Sequence, residues 1–141
     1  MWENTSVQPL PRREPRQLRN VNGDGNCLPR AISVAVTGNE DAHAELRKRV
    51  VTFLLARGED PARMANIAVD GEWMTEKEIE GFALLLGVPI FSAVKGRNGA
   101  WAYHRHPHPN GEHVPGKGAL FIANIPTNAH FQVVLGNLFI S

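Results

Sequence analysis

The spacing of apolar residues changes once along this chain, and the change limits the folds that the chain can adopt. From Leu28 to Leu86, apolar residues recur at three- and four-residue intervals, as they do on one face of a helix. From Val88 onward they form short runs between turn residues, which is typical of strands. Helices followed by strands predict an α/β (α+β) fold, in which helices sandwich a small mixed β-sheet.

Capping and turn residues set the expected bounds of these elements. Thr75 and Glu78 have the spacing of a capping box, and Asn39 or Asp41 is expected to cap the second helix. Glycines are expected to end the helices. The predicted helices cover residues 27–38, 39–57, 61–67 and 75–87, and the predicted strands cover residues 88–94, 101–103, 119–122 and 131–135.

The length of the chain allows one hydrophobic core. Its 141 residues, 43% apolar and 21% charged, match an ordinary globular domain. Residues 1–18 combine prolines and arginines with few apolar anchors. We therefore expect a flexible N-terminal arm over residues 1–18 and a single domain over residues 19–141.

Charge and hydropathy argue against two classes of partner. The formal net charge is +1, so no strong field attracts nucleic acid or an anionic membrane. No apolar run approaches the ~18 residues that span a bilayer, and the first residues lack the apolar core of a secretory signal. A single cysteine cannot form an internal disulfide and fits a reducing compartment, so we expect a cytoplasmic protein and a monomer.

The one cysteine, Cys27, is the first candidate for chemistry. Composition alone favours a small buried side chain, but the local sequence favours a nucleophile. The turn cluster at residues 22–26 contains two glycines, which allow close approach of a substrate and can aim backbone amides at an oxyanion. The helix that follows places its positive dipole end at the sulfur, which favours the thiolate.

A nucleophilic cysteine also needs a base, and His130 is the candidate among six histidines. It begins a strand-like run after the turn residues 126–128, and a strand end beside a loop is a rigid mount that solvent can reach. On spacing alone, a structural histidine at the start of a strand is the stronger interpretation.

Three segments together resemble the ovarian-tumour (OTU) family of cysteine proteases. Residues 22–33 resemble its nucleophile motif, Asp-Gly-Asn-Cys followed by a helix, and residues 128–131 resemble its histidine motif. Residues 72–90 resemble its middle region, where a Trp precedes a helix that leads into a central strand. The resemblance implies a papain-type fold, deubiquitinase activity, and ubiquitin or ubiquitin-like conjugates as partners.

The resemblance also implies a mechanism and the residues that perform it. Cys27 would attack the carbonyl carbon at the C-terminus of ubiquitin, and His130 would pass the proton to the leaving amine. Backbone amides around Asp24, Gly25 and Cys27 would bind the oxyanion. No metal and no organic cofactor is needed for this chemistry.

The chain departs from the family pattern at the position that orients the histidine. The family places Asp or Asn two residues after the histidine, where this chain has Gln132. Glutamine can accept a hydrogen bond but lacks the charge that would stabilise an imidazolium. Asp24 is therefore the preferred catalytic partner, with Gln132 and Asn128 as alternatives. A smaller departure is Pro29, which stands where the family often has an aromatic residue.

Two further functions stay open for comparison. An OTU-like fold with an impaired site, acting as a ubiquitin-binding module, is consistent with Gln132. An unrelated thiol hydrolase or acyltransferase acting on small amides is disfavoured by the resemblance of the middle region.

Other conspicuous residues have simpler interpretations. The run that contains His104, His106 and His108 could bind a metal, but its prolines and glycine favour an exposed loop. Trp73 and Trp101 are expected in the core. The three successive cations at residues 47–49 are expected on a solvated helix face.

Overall fold

The computed structural model describes residues 17–19, 21, 24–95, 98–106, 120–125 and 130–135. Within these ranges the chain forms four helices and five strands. In chain order they are β1 (Gln17–Arg19), α1 (Cys27–Thr37), α2 (His43–Ala56), α3 (Pro61–Ile67), α4 (Glu76–Leu86), β2 (Ile90–Lys95), β3 (Trp101–His106), β4 (Leu120–Ile125) and β5 (His130–Leu135).

Local sequence explains most of the helix ends. Gly38 ends α1 with a φ of 91°, a left-handed conformation that glycine adopts without strain. The Asp60 carboxylate caps α3 by accepting from the Arg63 amide. The predicted capping box of α4 is confirmed. The Thr75 side chain accepts a hydrogen bond from the backbone of the first turn, and the Glu78 side chain accepts one from the Thr75 backbone amide.

The predicted cap of α2 is wrong. Ala42 occupies the N-cap position, and neither Asn39 nor Asp41 does. Asn39 instead shapes the preceding turn, since its side chain accepts from the Asp41 amide at 2.9 Å and its carbonyl accepts from Ser33 Oγ at 2.6 Å. The side-chain oxygen and the carbonyl of Asn39 are therefore used before the helix begins.

The five strands form one mixed sheet in the order β1-β5-β4-β2-β3. The β2–β4 pair is parallel, and the other three pairs are antiparallel. β5 pairs with β4 such that His130 lies opposite Ile125 and Phe131 lies opposite Asn124. The predicted α+β class with a small mixed sheet is confirmed.

The edge strand β1 was not predicted from the sequence. Its residues Gln17 and Leu18 belong to the expected N-terminal arm, yet they pair with Leu135 and Val134 of β5. Residues 1–16 lie outside the described residues, so the flexible arm and the domain boundary after residue 18 stay predictions.

The main core lies between the helices and one face of the sheet. Every helix and the strands β2, β4 and β5 contribute to it, and its largest fully buried side chains are Phe82, Leu28, Ile32, Met64, Ile90 and Ile122. A smaller cluster contains Phe91, Ala93, Tyr103 and Ala123, and Trp101 packs against it half-buried. Strand alternation explains the division, because successive residues of β2 point to opposite faces.

The two tryptophans that were expected in the core differ in burial. Trp101 is confirmed there by its contact with the smaller cluster. Trp73 is 43% exposed, so the prediction for it is wrong. Its segment, residues 72–75, connects α3 to α4 and has no regular secondary structure, so no helical or strand period directs the indole inward.

The histidine run divides between described and undescribed residues. His104 and His106 lie in β3, where His104 is exposed and His106 is buried against Ser92. His108 lies outside the described residues. Among the residues that are described, no group of three His, Cys, Asp or Glu side chains could hold a metal ion. No described helix has both the length and the apolar character to cross a membrane.

The α4 cap can be tested by substitution. Thr75→Ala removes the hydroxyl that accepts from the helix backbone and should lower the free energy of unfolding by about 1 kcal/mol. Thr52→Ala, at an exposed position within α2, is the matched control and should change it by less than about 0.5 kcal/mol. Urea unfolding measures both, and equal effects would contradict a stabilising cap at Thr75.

Candidate active site

Cys27 is the first residue of α1, and its thiol lies against the start of β5. The side chain is buried, and the backbone amides of Phe131 and Leu28 donate hydrogen bonds to its sulfur. Phe131 follows His130 directly in β5. The fold therefore brings the two segments that carry the predicted nucleophile and base into contact, although 103 residues of chain separate Cys27 from His130.

The surroundings of the thiol act on its pKa in opposite directions. Burial raises the pKa of the Cys27 thiol, and the nearby Asp24 carboxylate also raises it, whereas the Phe131 and Leu28 amides lower it. The net shift is upward. Because a raised pKa keeps the proton on sulfur at neutral pH, this cysteine needs a base to become a nucleophile.

Asp24 lies three residues before the cysteine, with its carboxylate committed to the loop. One oxygen accepts from the Asn26 amide at 3.0 Å and from Arg30 Nε at 3.2 Å, and the other accepts from Arg30 Nη2 at 3.0 Å. Burial raises the pKa of Asp24, but the hydrogen bonds from Arg30 and Asn26 prevail and lower it overall. Asp24 is therefore ionised at neutral pH and closes the turn before Cys27.

Of the other predicted site residues, the structure describes less. His130 and Gln132 occupy alternate positions of β5, opposite Ile125 and Ala123, and only their backbone is described. Asn128 lies outside the described residues. The catalytic roles of Asp24, His130, Gln132 and Asn128 therefore stay predictions.

The side chain of Asn26 joins the nucleophile loop, residues 24–27, to residues 70–72. Its Oδ1 accepts from the Gly71 amide at 3.0 Å, and its Nδ2 donates to Asp70 Oδ1 at 3.2 Å. Gly25 packs directly on the same segment, since a Cβ at Gly25 would lie 1.5 Å from the Gly71 carbonyl oxygen. The Gly25 position thus requires glycine for close packing of two backbones.

Arg47 contradicts the prediction of a solvated cationic face. Lys48 and Arg49 are exposed as expected, but Arg47 is only 2% exposed and its guanidinium reaches the nucleophile loop. The sequence contained a signal for this burial. Arg47 stands three, four and seven residues before Val50, Val51 and Leu54, which are buried and form one face of α2.

A cavity of about 230 Å³ opens beside the site. It is lined by Glu76, Ile79, Ser92, Val94, His104, His106 and Phe131. Ser92 Oγ and His106 Nε2 lie 3.1 Å apart in its buried part. Phe131 also donates its backbone amide to the Cys27 sulfur, but Cys27 itself does not line this cavity.

This arrangement defines a class of protein. A cysteine at the N-terminus of a buried helix, held against the first residues of a strand that begins with histidine, is the architecture of the papain-type cysteine protease fold. The expected papain-type fold has this arrangement.

Comparison with known proteins identifies the family that the chain resembles. The family model "Vertnin, OTU domain" matches residues 19–60. OTU domain-containing protein 1 of Mus musculus is 32% identical over 83 residues, which cover 52% of this chain and 18% of that protein. The chain thus corresponds to about a fifth of the length of this curated relative.

Solved structures agree with the sequence comparison. The OTU domain of OTUD1 has a TM-score of 0.74 and 24% identity, and the match covers 84% of this chain and 85% of that domain. The Hazara virus OTU bound to ubiquitin has a TM-score of 0.67 and 17% identity, and the match covers 90% and 88% of the two chains. This chain has the OTU fold, and its resemblance to the OTU family of cysteine proteases is confirmed.

The close packing of Gly25 predicts a specific intolerance. Gly25→Ala places a methyl group into the Gly71 carbonyl and should lower the free energy of unfolding by about 1–3 kcal/mol. Gly58→Ala is the control, because its φ of 93° is strained for alanine but no atom lies within 4 Å of the added Cβ. Urea unfolding that finds Gly58→Ala more destabilising than Gly25→Ala would contradict the packing argument.

The pKa of Cys27 can be measured directly, because alkylation reports on a single cysteine. Iodoacetamide should react with the folded protein with a midpoint at higher pH than with the urea-unfolded chain, since burial raises the pKa of the folded thiol. Asp24→Asn should move the midpoint to lower pH by removing the nearby negative charge.

Glu40→Gln serves as the control for Asp24→Asn. Glu40 is the other carboxylate that Arg30 contacts, at 3.3 Å, whereas Asp24 is the carboxylate that raises the pKa of Cys27. The pH midpoint of alkylation in Glu40→Gln should therefore match that of the unsubstituted protein. An upward shift in Asp24→Asn would show that Asp24 acts on Cys27 by a route other than its charge.

Proposed function

We propose that this chain is a cysteine-type deubiquitinase that hydrolyses isopeptide or peptide bonds at the C-terminus of ubiquitin or a ubiquitin-like modifier. The observation that carries the proposal is the contact of the Cys27 thiol with the backbone of Phe131, the residue next to His130. The ubiquitin-bound state of the similar Hazara virus OTU supports the choice of substrate.

In the proposed reaction, Cys27 is the nucleophile and His130 is the general base. His130 takes the thiol proton, which the raised pKa of Cys27 would otherwise retain, and the sulfur attacks the carbonyl carbon. His130 then gives that proton to the departing lysine amine. Water hydrolyses the thioester, which releases the ubiquitin carboxylate and restores the thiol.

The surroundings of Cys27 support the stabilisation of the developing charge. Backbone amides around Asp24, Gly25 and Cys27 precede or begin α1, and the positive end of the helix dipole adds to their effect on an oxyanion. Asp24 or Gln132 is proposed to orient His130. The chemistry requires no metal or cofactor, and it suits a reducing compartment such as the cytoplasm.

A ubiquitin-binding module with an impaired site is the second candidate. Two observations favour it. Gln132 stands where the family pattern has Asp or Asn. The Cys27 thiol is also buried, with a raised pKa. In this alternative the OTU surface engages ubiquitin without turnover.

Di-ubiquitins of defined linkage separate the two candidates. We expect the unsubstituted protein to cleave at least one linkage. Cys27→Ala should cleave it at a rate lower by about 10³-fold or more, because this variant lacks the nucleophile. The fold of Cys27→Ala should be preserved, and Thr52→Ala, at an exposed position on α2, should cleave normally.

A ubiquitin derivative with a C-terminal electrophile completes the test. An active thiol is labelled by it, and Cys27→Ala is not. If the folded protein neither cleaves di-ubiquitin nor is labelled, yet binds ubiquitin, the binding module is the correct function.

A further inference from the structure

Arg47 makes the most extensive set of hydrogen bonds from one side chain in the described part of the chain. Its Nη2 donates to the Gly25 carbonyl at 3.1 Å, to Asn26 Oδ1 at 2.8 Å and to the Glu72 carbonyl at 2.9 Å. Its Nη1 donates to the Ile67 carbonyl at 2.6 Å. One guanidinium thus joins α2 to the nucleophile loop, to the end of α3 and to the segment before α4.

The burial of this cation is energetically unfavourable on its own. These acceptors are three backbone carbonyls and one amide oxygen, none of which is charged. Burial lowers the pKa of Arg47, and the nearby carboxylates of Asp70 and Glu72 oppose that shift. An apolar residue at position 47 would avoid this desolvation penalty but would leave the four acceptors without their donor, so the role of the cation lies in its hydrogen bonds to these segments.

The hydrogen bonds of Arg47 determine how the nucleophile loop is oriented. The carbonyl and N–H of one peptide unit point in opposite directions. Because Arg47 holds the Gly25 carbonyl on the interior side, the Asn26 N–H is directed away from it, toward the Asp24 carboxylate. The Asp24 carbonyl accepts from the Cys27 amide at 3.1 Å, which completes the turn into α1.

We propose that Arg47 is a positioning residue for the Cys27 nucleophile, because its guanidinium holds the Gly25–Asn26 peptide in one orientation and locks residues 70–72 against it. The proposal rests on the proposed function for its kinetic consequence. It adds that the conformations of these two segments are coupled through one side chain.

Arginine suits this task better than lysine. Lysine keeps the charge and offers three donors from one nitrogen, but it has no second nitrogen for the Ile67 carbonyl. Arg47→Lys should therefore retain part of the function, whereas Arg47→Met keeps the volume and loses every hydrogen bond.

Arg63→Met is the matched control. Arg63 of α3 forms an ion pair with the fully buried Glu78 of α4 and a second one with Glu59, which precedes α3. Like Arg47→Met, this variant removes a guanidinium that joins neighbouring segments, but the bonds of Arg63 go to Glu59, Thr75 and Glu78 and to no described residue of the nucleophile loop. The two variants are compared at temperatures equally far below their unfolding midpoints.

The first readout is steady-state hydrolysis of a ubiquitin C-terminal fluorophore. Arg47→Met should lower kcat about 100-fold with KM changed less than about threefold, because the loss is one of alignment. Arg47→Lys should lie between Arg47→Met and the unsubstituted protein. Arg63→Met should keep kcat within about threefold.

The second readout is amide hydrogen exchange, which needs no substrate. In Arg47→Met, exchange at residues 24–27 and 70–72 should rise together by about tenfold or more, whereas Arg63→Met should leave both segments protected. If Arg47→Met does not fold, Arg47→Lys takes its place in both readouts, with smaller effects in the same direction.

Each result decides the proposal. Equal kcat losses in Arg47→Met and Arg63→Met, or unchanged exchange at both segments in a folded Arg47 variant, would overturn it. If the unsubstituted protein cleaves no ubiquitin substrate, the proposed function fails, and the exchange comparison alone still decides whether Arg47 couples the two segments.

Discussion

The hydrogen bonds of the buried Arg47 guanidinium join the segments that surround the candidate active site. They join α2 to the loop before Cys27, to the last residue of α3 and to the segment before α4. Loops carry their own unsatisfied carbonyls, and those carbonyls cannot be buried without donors. A guanidinium supplies several donors from one planar group, so one side chain allows two irregular segments and the end of α3 to pack together.

In the candidate site, opposing contributions act on the pKa of the Cys27 thiol. Packing of α1 against β5 removes the Cys27 thiol from water, which raises its pKa, while two backbone amides favour the thiolate. Asp24 is held by Arg30, so much of its charge is compensated within the turn. In such a site the reactivity of the sulfur is set by the balance between its burial and the amides that donate to it.

Local sequence predicted the elements because caps and periodicity act over a few residues. The ends of α1 and α4 follow from Gly38 and from the Thr75–Glu78 capping box. Features that depend on distant partners were missed. Nothing near Gln17 indicates that β1 pairs with β5, and Arg47 looked like part of a solvated run although its position on the face of Val50 and Leu54 indicated burial.

The sequence by itself determined that Cys27 begins a helix after a glycine-containing turn, that His130 begins a late strand, and that the two belong to an OTU-like pattern. Those properties follow from backbone preferences over a few residues and from motif order. Only the tertiary structure decided that the Cys27 thiol meets the amide of Phe131, that Gly25 must pack on Gly71, and that Arg47 rather than its neighbours turns inward. Burial and hydrogen bonding depend on which segments meet in space, and that is a property of the whole packed chain.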